Sequence, residues 1–153
     1  MPTGNVLSDN DKLLAVRNAI IDGKPFSNMG YSFLNEKIEE SSVLGKSLSL
    51  SFENKKIERL IRIRFITTTN NQDMFIVYVI GNDNKRNNVN QYLESKVSTS
   101  LSNAFKLSSY QGDFSQRVSL AIINLEKMMQ KYMHDILSGK NWRGTVVDWG
   151  PYK

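Results

Sequence analysis

The spacing of apolar and polar residues changes period along the chain, and each change marks an element. After Ser8-Asp9-Asn10-Asp11, which reads as an N-cap, Leu13, Leu14, Arg17, Ile20 and Ile21 recur at helical spacing until Gly23 and Pro25 stop them. The spacing predicts a helix over 9–22. The next segment, Phe26 to Leu44, carries Phe33, Leu34 and Ile38 among Glu36, Glu39 and Glu40, and predicts a second short helix with a weaker stripe. From Lys46 the period becomes two. Leu48, Leu50 and Phe52 alternate with Ser47, Ser49 and Ser51, the signature of a strand with one dry and one wet face. Asn54-Lys55-Lys56 forms a turn. A second strand, Ile57 to Thr68, sets Ile57, Ile61, Ile63 and Phe65 on one face and Leu60, Arg62, Arg64 and Ile66 on the other. After Asn70-Asn71-Gln72, a third runs from Met74 to Ile80. Connections this short allow only an antiparallel meander. The third strand is apolar on both faces, so it is expected to be covered on both sides, by helices on one and by the tail or a partner on the other.

Gly81 to Asn88 reads as a polar loop. Val89, Leu93, Val97, Leu101 and Phe105 then repeat every four residues, a helical stripe with a serine-rich interior and a natural break near Ser98. Ser108 to Gly112 links it to the clearest element of the chain. From Phe114 to Leu137 apolar residues keep spacings of three and four for about six turns, and Gly139 follows as a C′ residue. The tail from Asn141 carries Trp142, Val146, Val147, Trp149 and Tyr152, more large apolar side chains than water tolerates, and is expected to dock, with Thr145 to Trp149 as an edge strand. The expected fold is a single α+β domain over 1–153. It has short N-terminal helices, a three-stranded antiparallel meander, C-terminal helices with one long amphipathic helix packed on the sheet, and 141–153 as a docked aromatic tail.

Composition narrows the chemistry chiefly by exclusion. A chain of 153 residues, 40% apolar and 10% aromatic, can bury a core without covalent staples. It has no cysteine, which removes disulfides, thiol nucleophiles and thiolate metal sites. The N-terminus lacks the layout of a signal peptide, and no stretch approaches the ~20 apolar residues of a membrane span, so a soluble, cytoplasmic chain is expected. Phosphate-loop, dinucleotide, zinc-protease, EF-hand and nucleophile-elbow motifs are absent from the sequence. The one histidine, His134, falls on the polar side of the long helix beside Lys127, Gln130, Lys131 and Ser138, without the pocket that acid–base work requires. Glu36, Glu39 and Glu40 are close in sequence, but a polar helix face supplies no cleft for paired carboxylates. No catalytic residue, metal or cofactor is expected.

Charge points toward recognition. Twenty Lys and Arg against fifteen Asp and Glu give a formal charge of +5, a modest pull toward acidic partners. Lys55, Lys56, Arg59, Arg62 and Arg64 cluster around the first hairpin, Lys85 and Arg86 extend the cluster, and Tyr78 on the same sheet is placed to stack a base. The plainer reading is a solvated face whose arginines pair with Glu53 and Glu58. The aromatic run of an RRM sheet is missing. Met128, Met129, Met133 and Tyr132 resemble a deformable binding surface but sit at core spacing, whereas Ile123 falls among polar neighbours. The expected function is that of a small non-catalytic interaction protein of adaptor, immunity or structural-accessory type. It would bind an acidic protein partner, or itself as a homodimer, through a sheet face and the tail, using Lys55, Lys56, Arg59, Arg62, Arg64, Tyr78, Lys85, Arg86, Trp142 and Trp149. A nucleic-acid binder using the basic sheet face is the alternative, and a carboxylate-based enzyme the second. An anionic membrane surface also fits the charge.

Overall fold

The computed structural model describes residues 8–41, 45–67, 73–81 and 85–139. The expected tail strand, with Trp142 and Trp149, lies outside the described residues.

Helix α1 spans Asp9–Gly23. The Ser8 hydroxyl caps it by accepting from the Asp11 backbone N–H at 3.1 Å, and Lys24 ends it in a left-handed conformation. Leu13, Val16 and Ile20 are its buried stripe. The segment expected to be a second helix is instead strand β1, Ser32–Ser41, paired antiparallel with β2, Gly45–Asn54. The cause is a register shift at Leu34, between Phe33 and Asn35. Phe33 lies opposite Phe52, and after the extra residue Ile38 lies opposite Leu48, so two residues of opposite parity face the same side. The alternation that would have marked a strand is broken in the middle, and the remaining spacing mimics a helix.

Strands β3, Arg59–Ile66, and β4, Met74–Gly81, follow as expected, each paired antiparallel with its predecessor. A fifth strand, β5, Arg86–Asn88, replaces the end of the expected polar loop and pairs with Tyr78–Ile80. Three polar residues carry no hydrophobic period, which hides such a strand from pattern reading. The sheet is therefore a five-stranded antiparallel meander in the order β1-β2-β3-β4-β5 rather than a three-stranded one.

Helix α2, Val89–Lys96, ends where the break near Ser98 was expected, and a 3₁₀ stretch, Thr99–Phe105, carries the stripe onward. On α2 the Asn90 side chain behaves as a piece of strand: its Oδ1 accepts from the Val77 N–H and its Nδ2 donates to the Phe75 carbonyl, both at 3.0 Å. The edge of β4 beyond the short β5 is thereby hydrogen-bonded. Helix α3, Phe114–Tyr132, begins at a capping box in which Asp113 accepts from the Gln116 N–H and Gln116 accepts from the Asp113 N–H. The long helix expected to Leu137 stops short. Met133 leaves helical geometry (φ −127°, ψ 22°), and a single-turn α4, His134–Leu137, follows. That step buries both adjacent residues Ile136 and Leu137.

Leu48, Leu50, Phe52, Ile61, Ile63, Phe65, Phe75, Val77 and Val79 cover one side of the sheet and form one cluster with the buried faces of α1, α2, α3 and α4. The Phe65 ring meets Phe75 at 5.2 Å and Phe114 edge-on at 6.1 Å. With each buried side chain worth about 1.5–3 kcal/mol, this one-sided core fixes which face each strand residue shows. The methionines of α3 belong to it: Met128 and Met129 are buried, as is Met133. Among the described residues no helix is long and apolar enough to cross a membrane.

Candidate functional site

The side of the sheet away from the helices is organised in rows across the strands. One row runs Asn35, Ser51, Arg62, Tyr78, Asn88, and the next runs Lys37, Ser49, Arg64, Ile76. Leu60 and Ile80 flank the first row, while Glu39, Ser47, Ile66 and Met74 form a third. This is the face on which the expected coverage of β4 is incomplete. Phe75, Val77 and Val79 are fully buried beneath the helices, whereas Met74, Ile76, Tyr78 and Ile80 remain partly exposed.

Small residues on β2 create relief. Ser47, Ser49 and Ser51 are the wet-face partners of the large Leu48, Leu50 and Phe52, and the long side chains of β3 reach over them. Arg62 donates from Nε to the Ser51 hydroxyl at 3.2 Å, and Arg64 donates from Nη2 to the Ser47 hydroxyl at 3.3 Å. Ser51 is the direct cross-strand neighbour of Arg62, but the direct neighbour of Arg64 is Ser49, so Arg64 leans diagonally away from it. A cleft of about 380 Å³ results, lined by Asn35, Glu36, Lys37, Glu39, Ser49, Ser51 and Arg62.

The arginines lack the carboxylates that the plainer sequence reading assigned to them. Glu53 instead contacts Lys55 at 3.7 Å, and among the described residues no Asp or Glu lies within ion-pair distance of Arg62 or Arg64. The Nε–H of Arg64 is buried without an acceptor, an arrangement that costs about 1–3 kcal/mol. Two guanidinium groups two residues apart on a central strand are held by neutral hydroxyls only. The face therefore carries two guanidinium groups without an ion-pair partner among the described residues, bordered by apolar side chains.

Of the other predicted contact residues, Arg86 joins this face, with its guanidinium 5.3 Å from the centre of the Tyr78 ring. That contact occupies the ring predicted to stack a base. Lys55 and Lys56 lie exposed in the β2–β3 turn, and Lys85 is exposed just before β5. Arg59 departs from the cluster. Its position in β3 places it with Ile61 and Ile63 on the helix side, where it is 8% exposed and near Tyr31. Sequence reading missed Asn35 and Lys37, which reach the cleft only because β1 is a strand. The serine floor was visible as alternation, but its register against Arg62 and Arg64 was not.

The carboxylates do not gather. Glu36 accepts from Arg17 Nε at 2.7 and 2.9 Å, Asp73 from Lys12 at 2.8 Å, and Glu126 from the Phe26 N–H at 2.6 Å. His134 is exposed, as its helix position implied, 3.9 Å from Asp135. Among the described residues no group of three or more His, Asp or Glu is arranged to hold a metal ion. A second concavity, about 700 Å³, lies between α1 and α3, where Leu14 is 55% and Ile123 50% exposed.

Comparison with protein-family models, curated proteins and solved structures gives no match to this chain.

Proposed function

We propose that this chain is a non-catalytic interaction protein that binds an acidic protein partner through the open face of its sheet. The observation that carries the reading is the pair Arg62 and Arg64, charged, half-buried and without a carboxylate, set among Leu60, Ile76, Tyr78 and Ile80. Arginine and aromatic groups in an apolar setting are the composition of interface centres. An acidic partner would supply the missing counter-charge while covering the apolar surface of β4, and the overall positive charge would speed encounter. The stacked Arg86 and Tyr78 favour a protein over a nucleic acid, because the ring face that a base would use carries a guanidinium.

The test uses the full chain and its Arg62→Gln/Arg64→Gln variant against fluorescent poly-glutamate, with labelled DNA and RNA measured in parallel at two salt concentrations. Binding of poly-glutamate by the native chain, weakened at least tenfold in the variant, supports the reading. No binding of poly-glutamate at low salt, or tighter and steeply salt-dependent binding of DNA or RNA, overturns it.

A further inference from the structure

The register of β1, β2 and β3 creates a gap with one address. Ser49 sits between Lys37 on β1 and Arg64 on β3. Arg62 is drawn toward Ser51 on one side of it and Arg64 toward Ser47 on the other, so the two guanidinium groups part around Ser49. The Ser49 hydroxyl has no hydrogen-bond partner among the described residues, although the residue is only 8% exposed. Its neighbours Ser47 and Ser51 both accept from arginine. The cleft above it is open, and Lys37 and Asn35 stand at its β1 side.

We propose that this gap is an oxyanion site, in which one carboxylate or phosphoryl group rests on the Ser49 hydroxyl between the guanidiniums of Arg62 and Arg64. The inference rests on the reading of the open face as the contact surface and names the group that the face takes. The chemistry is specific. A hydroxyl can donate to an oxyanion, and arginine offers several N–H groups, of which each guanidinium commits one to serine. Lys37 adds a third positive charge at the lip; of the two carboxylates that line the cleft, Glu36 is engaged by Arg17 and Glu39 stands in the Ser47 row rather than the Ser49 row. Residue size matters as much as charge. A side chain larger than serine at position 49 would fill the space, and only small residues on β2 leave room between arginines that must lie flat to reach their partners.

The site is tested by nuclear magnetic resonance on the full chain, reading the arginine Nε–H signals and the Ser49 amide during titration with inorganic phosphate, with acetate, and with chloride at matched ionic strength. Saturable shifts of Arg62, Arg64 and Ser49 with phosphate or acetate, absent with chloride, are expected; the stronger of the two oxyanions distinguishes a phosphoryl from a carboxylate ligand. Ser49→Leu is expected to abolish the shifts by filling the gap. Ser49→Ala, which removes only the hydroxyl, should weaken binding several-fold and guards against a folding defect in the leucine variant. Equal responses to chloride, or undiminished binding by a folded Ser49→Leu chain, overturn the site. Poly-glutamate binding separates the two levels: if it survives Ser49→Leu, the open face binds acidic chains but not through this gap. If small oxyanions bind and poly-glutamate does not, the site stands and the protein-partner reading falls.

Discussion

The Tyr31 hydroxyl donates to the Leu137 carbonyl across 2.7 Å, tying the residue that leads into β1 to the last turn of α4, 106 positions away. Burial drives the phenol well above its ordinary value of 10.0, and the nearby positive charge of Arg59 only partly opposes this. The folded chain thus holds this proton more tightly than the unfolded chain. The resulting stability is fully present below about pH 10 and is lost as pH rises through the folded value. Tyr31→Phe should cost about 1 kcal/mol near neutrality through the lost hydrogen bond, and should flatten the alkaline decline in urea-denaturation stability. Tyr110, whose phenol is also raised by burial, should preserve a remaining slope.

A second cross-link joins α1 to the start of β4. Lys12 and Asp73 meet at 2.8 Å with side chains only 12% and 8% exposed. Removing one partner from so sheltered a pair strands the other charge. Asp73→Ala should destabilise by about 3 kcal/mol, whereas Lys12→Met in the same chain should recover part of the loss. A double-mutant cycle in urea reads both.

Gly139 closes α4 at φ +87°, and a Cβ there would lie 3.0 Å from the Cβ of Ile57. Gly139→Ala therefore combines backbone strain with a side-chain clash and should cost about 1–2 kcal/mol from the backbone alone. Adding Ile57→Ala would remove the further contacts with Cγ2 at 3.2 Å and Cδ1 at 3.4 Å but neither the Cβ contact nor the dihedral strain. The thermal midpoint of the double variant should accordingly stay below that of Ile57→Ala by itself.

Not every basic residue should matter equally. Lys55 is 85% exposed and 3.7 Å from Glu53, the geometry of a weak surface pair. Lys55→Ala/Lys56→Ala should leave stability within about 0.5 kcal/mol and should reduce poly-glutamate affinity much less than Arg62→Gln. Comparable losses from both changes would mean that general charge, not the Arg62 and Arg64 arrangement, governs binding.

These outcomes bear on how far residue patterns reach. The strands β2, β3 and β4 were legible because one face is packed by helices, so Leu48, Leu50, Phe52 and their partners alternate strictly. Strand β1 was not, because the extra residue at Leu34 flips the parity of Phe33 against Ile38. Strand β5 was hidden by its length. The same distinction governs the site. Parity alone put Arg62 and Arg64 on one wet face and, strictly applied, sets Arg59 on the dry one, where it lies. Neighbourhood in sequence had grouped all three. The serine gap needed the register of three strands, and one of those had been read as a helix.

The amide of Asn90 has a consequence for stoichiometry. With β5 and this side chain hydrogen-bonded along the β4 rim, and Met74 bridged to Lys106, the outer rims of the sheet among the described residues are the ten-residue strand β1 and the three-residue strand β5. The two rims are unequal: a like molecule pairing through β1 would cover the long rim of both copies and leave outside only three-residue edges, a length that offers an incoming strand little to extend.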